Sequence, residues 1–192
     1  SAAFWLVAGL LVPDARVTVR NVGMNVSRTG LLDVLAEMGA SIDVVDEREA
    51  GGEPVADLVA RHSTLRAAIV GGSIIPRLID EVPILAVAAA LADGDTVIRD
   101  AAELRVKESD RIAAVARGLM SMGARVEELP DGLIVHGGQS LGSAELETLG
   151  DHRLAMAWAI AGLASREAIQ IDDRECASVS YPSFWADLER WQ

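Results

Sequence analysis

The sequence predicts an α/β domain built from one repeated unit, and three observations carry that prediction. Three alanine-rich apolar segments recur at similar spacing, at 2–12, 82–92 and 154–164. Each is followed by a short β-type run, at 17–22, 96–100 and 168–172. After the first two runs come amphipathic segments that both finish in Met-Gly-Ala, at Met38-Gly39-Ala40 and Met122-Gly123-Ala124. Self-similarity at a fixed period marks a repeat architecture, here with a period of about 80 residues.

The amphipathic segments are helical by periodicity. Leu31, Leu35 and Met38 fall on one face, as do Ile112, Val115, Leu119 and Met122. Gly39 and Gly123 then stand where a left-handed helix C-cap belongs. Strands follow at 41–45 and at Arg125–Leu129, the second turning at Pro130-Asp131-Gly132 into a partner at 133–136. The acidic, Gly-Gly-containing stretch 46–54 reads as a turn or surface loop. The unit is therefore helix, strand, helix, strand, strand, present three times with the last copy truncated, and residues 1–192 form a single domain.

Composition narrows the function classes. The chain has 192 residues, 51% of them hydrophobic, which is ample for a packed core. No charge-free stretch reaches the roughly 18 residues of a membrane span, and the apolar opening lacks the basic start and cleavage site of a signal peptide. That opening at Ser1 reads as a piece excised from something longer. A formal net charge of −12 argues against nucleic acid or an acidic lipid surface as partner. The lone cysteine, Cys176, provides neither a disulfide framework nor a thiolate metal cluster, which suits a reducing cytoplasm. Lys107 is the only lysine.

Candidate chemistry lies at helix starts. Lys107 and Arg111 are four apart, so on a helix they would share a face in its opening turns, where free N–H groups already favour an anion. The same pattern suits a solvated helix start in which Glu108 and Asp110 cap the dipole and pair with the bases. Asp151 reads as the N-cap of the third apolar helix, with His152 and Arg153 in its first turn, and His152 can serve as a general acid or base. Asp80 reads as the N-cap of the second, ahead of Pro83. His62, His136 and the four tryptophans read as ordinary satisfied or packing residues. The pairs Gly71-Gly72 and Gly137-Gly138 are turn signals that open no phosphate-binding fingerprint.

Three strings taken in order carry a resemblance: Leu78-Ile79-Asp80-Glu81-Val82-Pro83, Glu103-Leu104-Arg105-Val106-Lys107-Glu108-Ser109-Asp110-Arg111, and Asp151-His152-Arg153-Leu154-Ala155-Met156-Ala157. With the start Ser1-Ala2-Ala3-Phe4-Trp5 and the ending Ser180-Tyr181-Pro182-Ser183-Phe184-Trp185, they resemble the C-terminal half of the 5-enolpyruvylshikimate-3-phosphate synthases. The resemblance implies βαβαββ-type units around a pseudo-threefold axis, with a missing N-terminal domain completing the active site. It implies transfer of the enolpyruvyl group of phosphoenolpyruvate to the 5-hydroxyl of shikimate 3-phosphate, with no cofactor and no metal. By the same resemblance Asp80 is the proton acceptor at the hydroxyl, and Lys107 touches both substrates. Glu108 handles the methylene proton, Arg111 and Arg153 clamp phosphoenolpyruvate, and His152 is a proton-transfer or hydrogen-bonding partner. Some members carry a lysine where this sequence has Val179. The alternatives are an enolpyruvyl transferase acting on UDP-N-acetylglucosamine and a non-catalytic anion-binding module.

Overall fold

Helices apolar on every side find no stable place at a surface, and the three alanine-rich segments are such helices. The computed structural model describes residues 2–165 and 167–191. The first unit contains α1 (Ala2–Leu11), β1 (Arg16–Gly23), α2 (Gly30–Glu37), β2 (Ser41–Ala50) and β3 (Glu53–Arg61). The second contains β4 (Ile69–Val70), α3 (Val82–Leu91), β5 (Asp95–Ile98), α4 (Arg111–Ser121), β6 (Arg125–Leu129) and β7 (Gly132–His136). The third contains β8 (Ala144–Leu146), α5 (His152–Ser165), β9 (Ile169–Ile171) and α6 (Phe184–Glu189). The second unit thus has the order βαβαββ, and the other two are abridged forms of it.

Each sheet repeats one topology. The first runs β1-β3-β2 and the second β4-β5-β7-β6, antiparallel apart from the parallel pair β4/β5. In the third, β8 lies parallel to β9 just as β4 lies parallel to β5. Inside the sheets α1, α3 and α5 pack on one another. Phe4 to Leu10, Val82 to Ala90 and Leu154 to Ala161 are buried without interruption. Burial of each Leu, Ile or Phe among them contributes about 1.5–3 kcal/mol, and one hydrophobic core runs through all three units.

Both predicted C-caps are present. Gly39 and Gly123 have φ of +87° and +89°. Ala40 N donates to Leu35 O and Gly39 N to Ala36 O, and the second unit repeats this with Ala124 to Leu119 and Gly123 to Met120. These are Schellman caps, which satisfy carbonyls the helix leaves open. The stretch 46–54 is not a loop: β2 continues to Ala50, only Gly51 and Gly52 turn, and β3 begins at Glu53. Its exposed acidic residues hid a strand that pairs with β3 along the backbone and through an ion pair of Arg48 with Asp57 at 2.9 Å.

An aromatic cluster ties the last helix to the first. Trp5 stacks on Trp191 with centroids 5.9 Å apart, and its indole N–H donates to Tyr181 Oη at 3.1 Å. Phe184 packs against both Phe4 and Trp5.

Two predictions follow from this packing. A β-carbon on Gly118 of α4 would lie 2.4 Å from the ring of Trp158, which is fully buried and held by a hydrogen bond from its Nε1 to Glu147 O. Gly118→Ala is expected to lower unfolding free energy by about 1–3 kcal/mol through overpacking. Alanine's helix advantage of about 1 kcal/mol offsets only part of this. A lower urea midpoint at unchanged slope is the readout. On β7, His136 stands between Asp95 (3.1 Å) and Glu127 (3.0 Å) on the two flanking strands. Hydrogen bonding to Asp95, then to Glu127, raises its pKa. Stability from a raised histidine pKa is fully present below the unfolded value of about 6.5 and is lost as pH rises through the folded value. The gap in Tm between the natural chain and His136→Gln is therefore expected to be widest near about pH 5.5 and to shrink towards about pH 8.5.

Candidate active site

The site begins with a turn. Leu149 and Gly150 both take positive φ, 54° and 71°, and this left-handed step swings Asp151 inward to the first turn of α5. Asp151 caps that helix as its sequence position suggests, its Oδ1 accepting from Arg153 N at 2.9 Å. The carboxylate also receives two bonds from Arg111, from Nε to Oδ2 at 2.7 Å and from Nη2 to Oδ1 at 3.2 Å. Ser109 Oγ donates to Oδ2 at 3.1 Å. Asp151 is 0% and Arg111 1% exposed. Burial pushes the Asp151 carboxyl up, but the Arg111 hydrogen bond and charge outweigh it and leave its pKa below the usual value.

Arg111 uses its remaining donors on two further acids, Asp80 Oδ1 at 3.0 Å and Glu108 Oε2 at 2.6 Å. A planar guanidinium suits such multiple recognition.

Asp80 does not cap α3. It lies in a short 3-10 helix, Ile79–Glu81, and the N-cap position falls to Glu81, which makes no side-chain capping bond. An N-cap side chain serves the N–H of the second or third helical residue; the second here is Pro83, which has none. Released from that duty, the Asp80 carboxylate lies among three cations: Arg111, Lys107 at 3.9 Å and Arg153 at 3.5 Å.

Lys107 is not on a helix with Arg111. Helix α4 starts at Arg111, because Asp110 accepts from Ala113 N at 3.0 Å and ends the segment before it. Arg105 in turn fixes Asp110 at 2.9 Å. Lys107 occupies the extended connection behind the 3-10 helix Ala102–Val106, and its Nζ meets Glu103 at 2.5 Å. The Glu103 hydrogen bond is the main cause of a raised Lys107 pKa, so the group remains an ammonium.

Arg153 Nη1 donates to the Asp80 carbonyl at 3.0 Å and to Glu81 at 3.3 Å. Burial raises the Glu81 pKa. His152 is the first residue of α5 and stands beside this network; among the described residues its ring makes no hydrogen bond. Burial is the main cause of its lowered pKa, which favours neutral imidazole near pH 7.

Five of the six residues singled out in the sequence, Asp80, Lys107, Glu108, Arg111 and Arg153, thus join one contact network, with His152 flanking it. Pattern reasoning missed Glu81, Glu103 and Ser109, and saw Asp151 only as a cap. The available signal was a run of cations next to a buried helix start, which requires a buried acid. Among the described residues no group of three or more His, Cys, Asp or Glu side chains is arranged for a metal ion.

The N-termini of α3, α4 and α5 meet at this network, and Ala2 and Ala3 of α1 line a cleft of ≈ 480 Å³ with Glu81 and Arg153. A smaller hollow of ≈ 300 Å³ lies over Asp80, Glu81 and Arg153. Positive dipole ends and fixed cations around a partly exposed carboxylate form a place where an anion can bind and a proton can be accepted beside it.

Residues 1–188 match the family model described as EPSP synthase (3-phosphoshikimate 1-carboxyvinyltransferase). The chain belongs to the EPSP synthase family. Over 192 residues it is 55% identical to the 3-phosphoshikimate 1-carboxyvinyltransferase of Synechococcus sp. (strain RCC307), covering 100% of this chain and 44% of that relative. It is 57% identical over 190 residues to the enzyme of the same name from Gloeobacter violaceus, with 99% and 44% covered. A solved EPSP synthase from Acinetobacter baumannii superposes with a TM-score of 0.93 at 40% identity, over 99% of this chain and 44% of that one. The enolpyruvyl transferase NikO from Streptomyces tendae shares the fold, with a TM-score of 0.78 at 23% identity over 98% of this chain and 41% of that one. The chain therefore spans less than half the length of each of these proteins. No helix among the described residues is long and apolar enough to cross a membrane.

Removing Asp151 would take from Arg111 its one fully buried counter-ion, leave it only the more exposed Asp80 and Glu108, and uncap α5. Asp151→Ala is expected to cost about 3–5 kcal/mol, measured by chemical denaturation near pH 7. A depressed carboxyl pKa gives stability that is present above the unfolded value of about 3.9 and is lost as pH falls through the folded one. The variant should accordingly lose less further stability than the natural chain between about pH 5 and about pH 2.

Proposed function

We propose that this chain supplies one side of an active site that transfers the enolpyruvyl group of phosphoenolpyruvate to the 5-hydroxyl of shikimate 3-phosphate and releases phosphate. It works as a single domain with a second domain that provides the rest of the site, in the cytoplasm and without a cofactor. The names of the family members support this reading, and one observation carries it: Asp80 leaves the capping role its position offers and is held among Lys107, Arg111 and Arg153.

The chemistry has two stages. The hydroxyl oxygen bonds to C2 of phosphoenolpyruvate while its proton passes to Asp80, and C3 gains a proton from Glu108. The tetrahedral intermediate then expels phosphate, C3 returns a proton, and the enolpyruvyl ether remains. Lys107, always charged here, offsets negative charge beside the reacting oxygen, and Arg153 receives a carboxylate or phosphate of the donor. Arg111 can join that clamp only by exchanging Glu108 or Asp80 for the incoming anion, which would also free Glu108 for its proton transfer. His152, neutral, can accept or donate a hydrogen bond at the same edge. Val179 ends the 3-10 helix Glu175–Val179 and is 81% exposed; it provides no charge for the departing phosphate.

The chain is to be assayed for phosphate release alone and combined with the remaining portion of the Gloeobacter violaceus relative. Turnover with shikimate 3-phosphate is expected only in the combined protein. Asp80→Asn should reduce kcat there by about 100-fold or more, in the range typical of a lost acid–base group. Full-rate turnover by the chain alone, or release with UDP-N-acetylglucosamine in place of shikimate 3-phosphate, would overturn the reading.

A further inference from the structure

The connection between β5 and α4, residues 99–110, contains Lys107 and Glu108, and little apolar contact holds it. Between Leu104 and Arg111 no side chain is buried, and Val106 is 80% exposed. The matching connection of the first unit, residues 24–29, is shorter. A long polar connection at a surface is ordinarily among the more mobile parts of a fold. This one nevertheless contains groups that chemistry requires to be placed within about 0.5 Å.

The turn of the β6–β7 hairpin supplies what packing does not. It is seated directly on the end of β5, where a β-carbon on Gly132 would lie 1.9 Å from Ile98 O. From that seat Asp131 holds the start of the connection. Its carbonyl accepts from Ala101 N at 2.8 Å and its carboxylate from Asp100 N at 2.9 Å. Arg105 holds the middle. Its Nε donates to Pro130 O at 2.8 Å and its Nη2 to Leu129 O at 2.7 Å, so one edge of the guanidinium grips the turn. The remaining arm, Nη1, meets both Glu128 and Asp110 at 2.9 Å. Asp110 is itself the N-cap of α4. One side chain therefore ties the hairpin turn to both flanks of residues 106–109: the 3-10 helix before them, to which Arg105 belongs, and the helix start after them. Serving two carbonyls and two carboxylates at once calls for donors spread around one plane, which a guanidinium has and an ammonium lacks.

We propose that Arg105 is a positioning residue: through the hairpin turn and Asp110 it fixes the backbone from which Lys107 and Glu108 reach Asp80 and Arg111. It acts through these neighbours rather than on a substrate. Its effect on turnover rests on the transferase reading, whereas its effect on the connection does not.

Lys107 is the only lysine, so the chain labelled with lysine carrying an isotope at its backbone nitrogen gives one amide signal, from inside the segment. Arg105→Leu is expected to move that signal and to lower its order parameter from about 0.85, the rigid value, to below about 0.6. Arg105→Gln, a milder change, should move it less, and Arg125→Leu, at an exposed arginine on β6, should leave it in place. In the combined protein Arg105→Leu should lower kcat by about tenfold to 100-fold. The KM for phosphoenolpyruvate should stay within about threefold, the pattern of misplaced transition-state groups rather than of lost binding. Arg105→Lys should recover only part of kcat. A merely structural arginine would instead lower Tm and leave both the Lys107 signal and kcat per folded molecule unchanged. A Lys107 signal unmoved in both Arg105→Leu and Arg105→Gln would overturn the proposal, as would an unchanged kcat in an active combined protein. If the natural combined protein shows no turnover, the transferase reading fails and the lysine signal alone decides the role of Arg105.

Discussion

A helix with no polar side can be satisfied only by other apolar surface, and this chain contains three of them. α1, α3 and α5 solve the problem by burying one another, and the remaining architecture is arranged around that choice. Each helix needs a cover on its outer side, which its own unit provides as a sheet or an amphipathic helix. What a buried helix cannot bury is its first turn, whose N–H groups lack partners within the helix. Packing the three helices with their starts at one end therefore gathers the unpaired donors, and the partial positive charge they carry, into one surface.

Charged side chains complete that surface and add to its cost. The Arg111–Asp151 pair lies almost wholly out of water, where desolvation of both ions offsets much of their attraction. Its return is positional. Asp151 is tied to α5 by capping, Arg111 is the first residue of α4, and the two bonds between them fix the relative placement of those helix starts. Asp80 and Glu108 take their orientation from the same guanidinium. The second cationic layer is less buried, Lys107 held by Glu103 and Arg153 by Glu81 and the Asp80 carbonyl, so it can be rearranged by an incoming anion at lower cost.

Much of the frame was legible in the residues themselves. The apolar segments and the Met-Gly-Ala stops are strong local signals, and they mark five helices and both glycine C-caps, whereas β3, the partner of both β1 and β2, was not read from the residues. The two- and three-residue strands β4 and β8 carry no period, because each is created by pairing with a strand from further along the chain. Local rules also misled where a tertiary partner competed. Asp80 satisfies the sequence rule for an N-cap, but Pro83 removes a donor and three cations claim the carboxylate. Lys107 and Arg111 have helical spacing, but Asp110 starts the helix between them. Pattern pointed to the candidate site residues at the helix starts, and the family likeness supplied their roles. Their partners lie 40 and 73 residues apart in the chain, as for Arg111 with Asp151 and Arg153 with Asp80, distances over which no periodicity reaches.

The aromatic cluster that joins Trp5 to Tyr181, Phe184 and Trp191 affects how this chain is made. Trp5 leaves the ribosome well before Tyr181, Phe184 and Trp191, and the side of α1 that these rings cover stays open until those residues emerge. At typical synthesis rates of about 5–20 residues per second that interval is on the order of ten seconds or more. During it an apolar helix and its Trp5 depend on whatever else is nearby. Contacts of such sequence separation also slow the final closure, so the newly made chain, rather than the finished one, is where chaperone dependence and aggregation would concentrate.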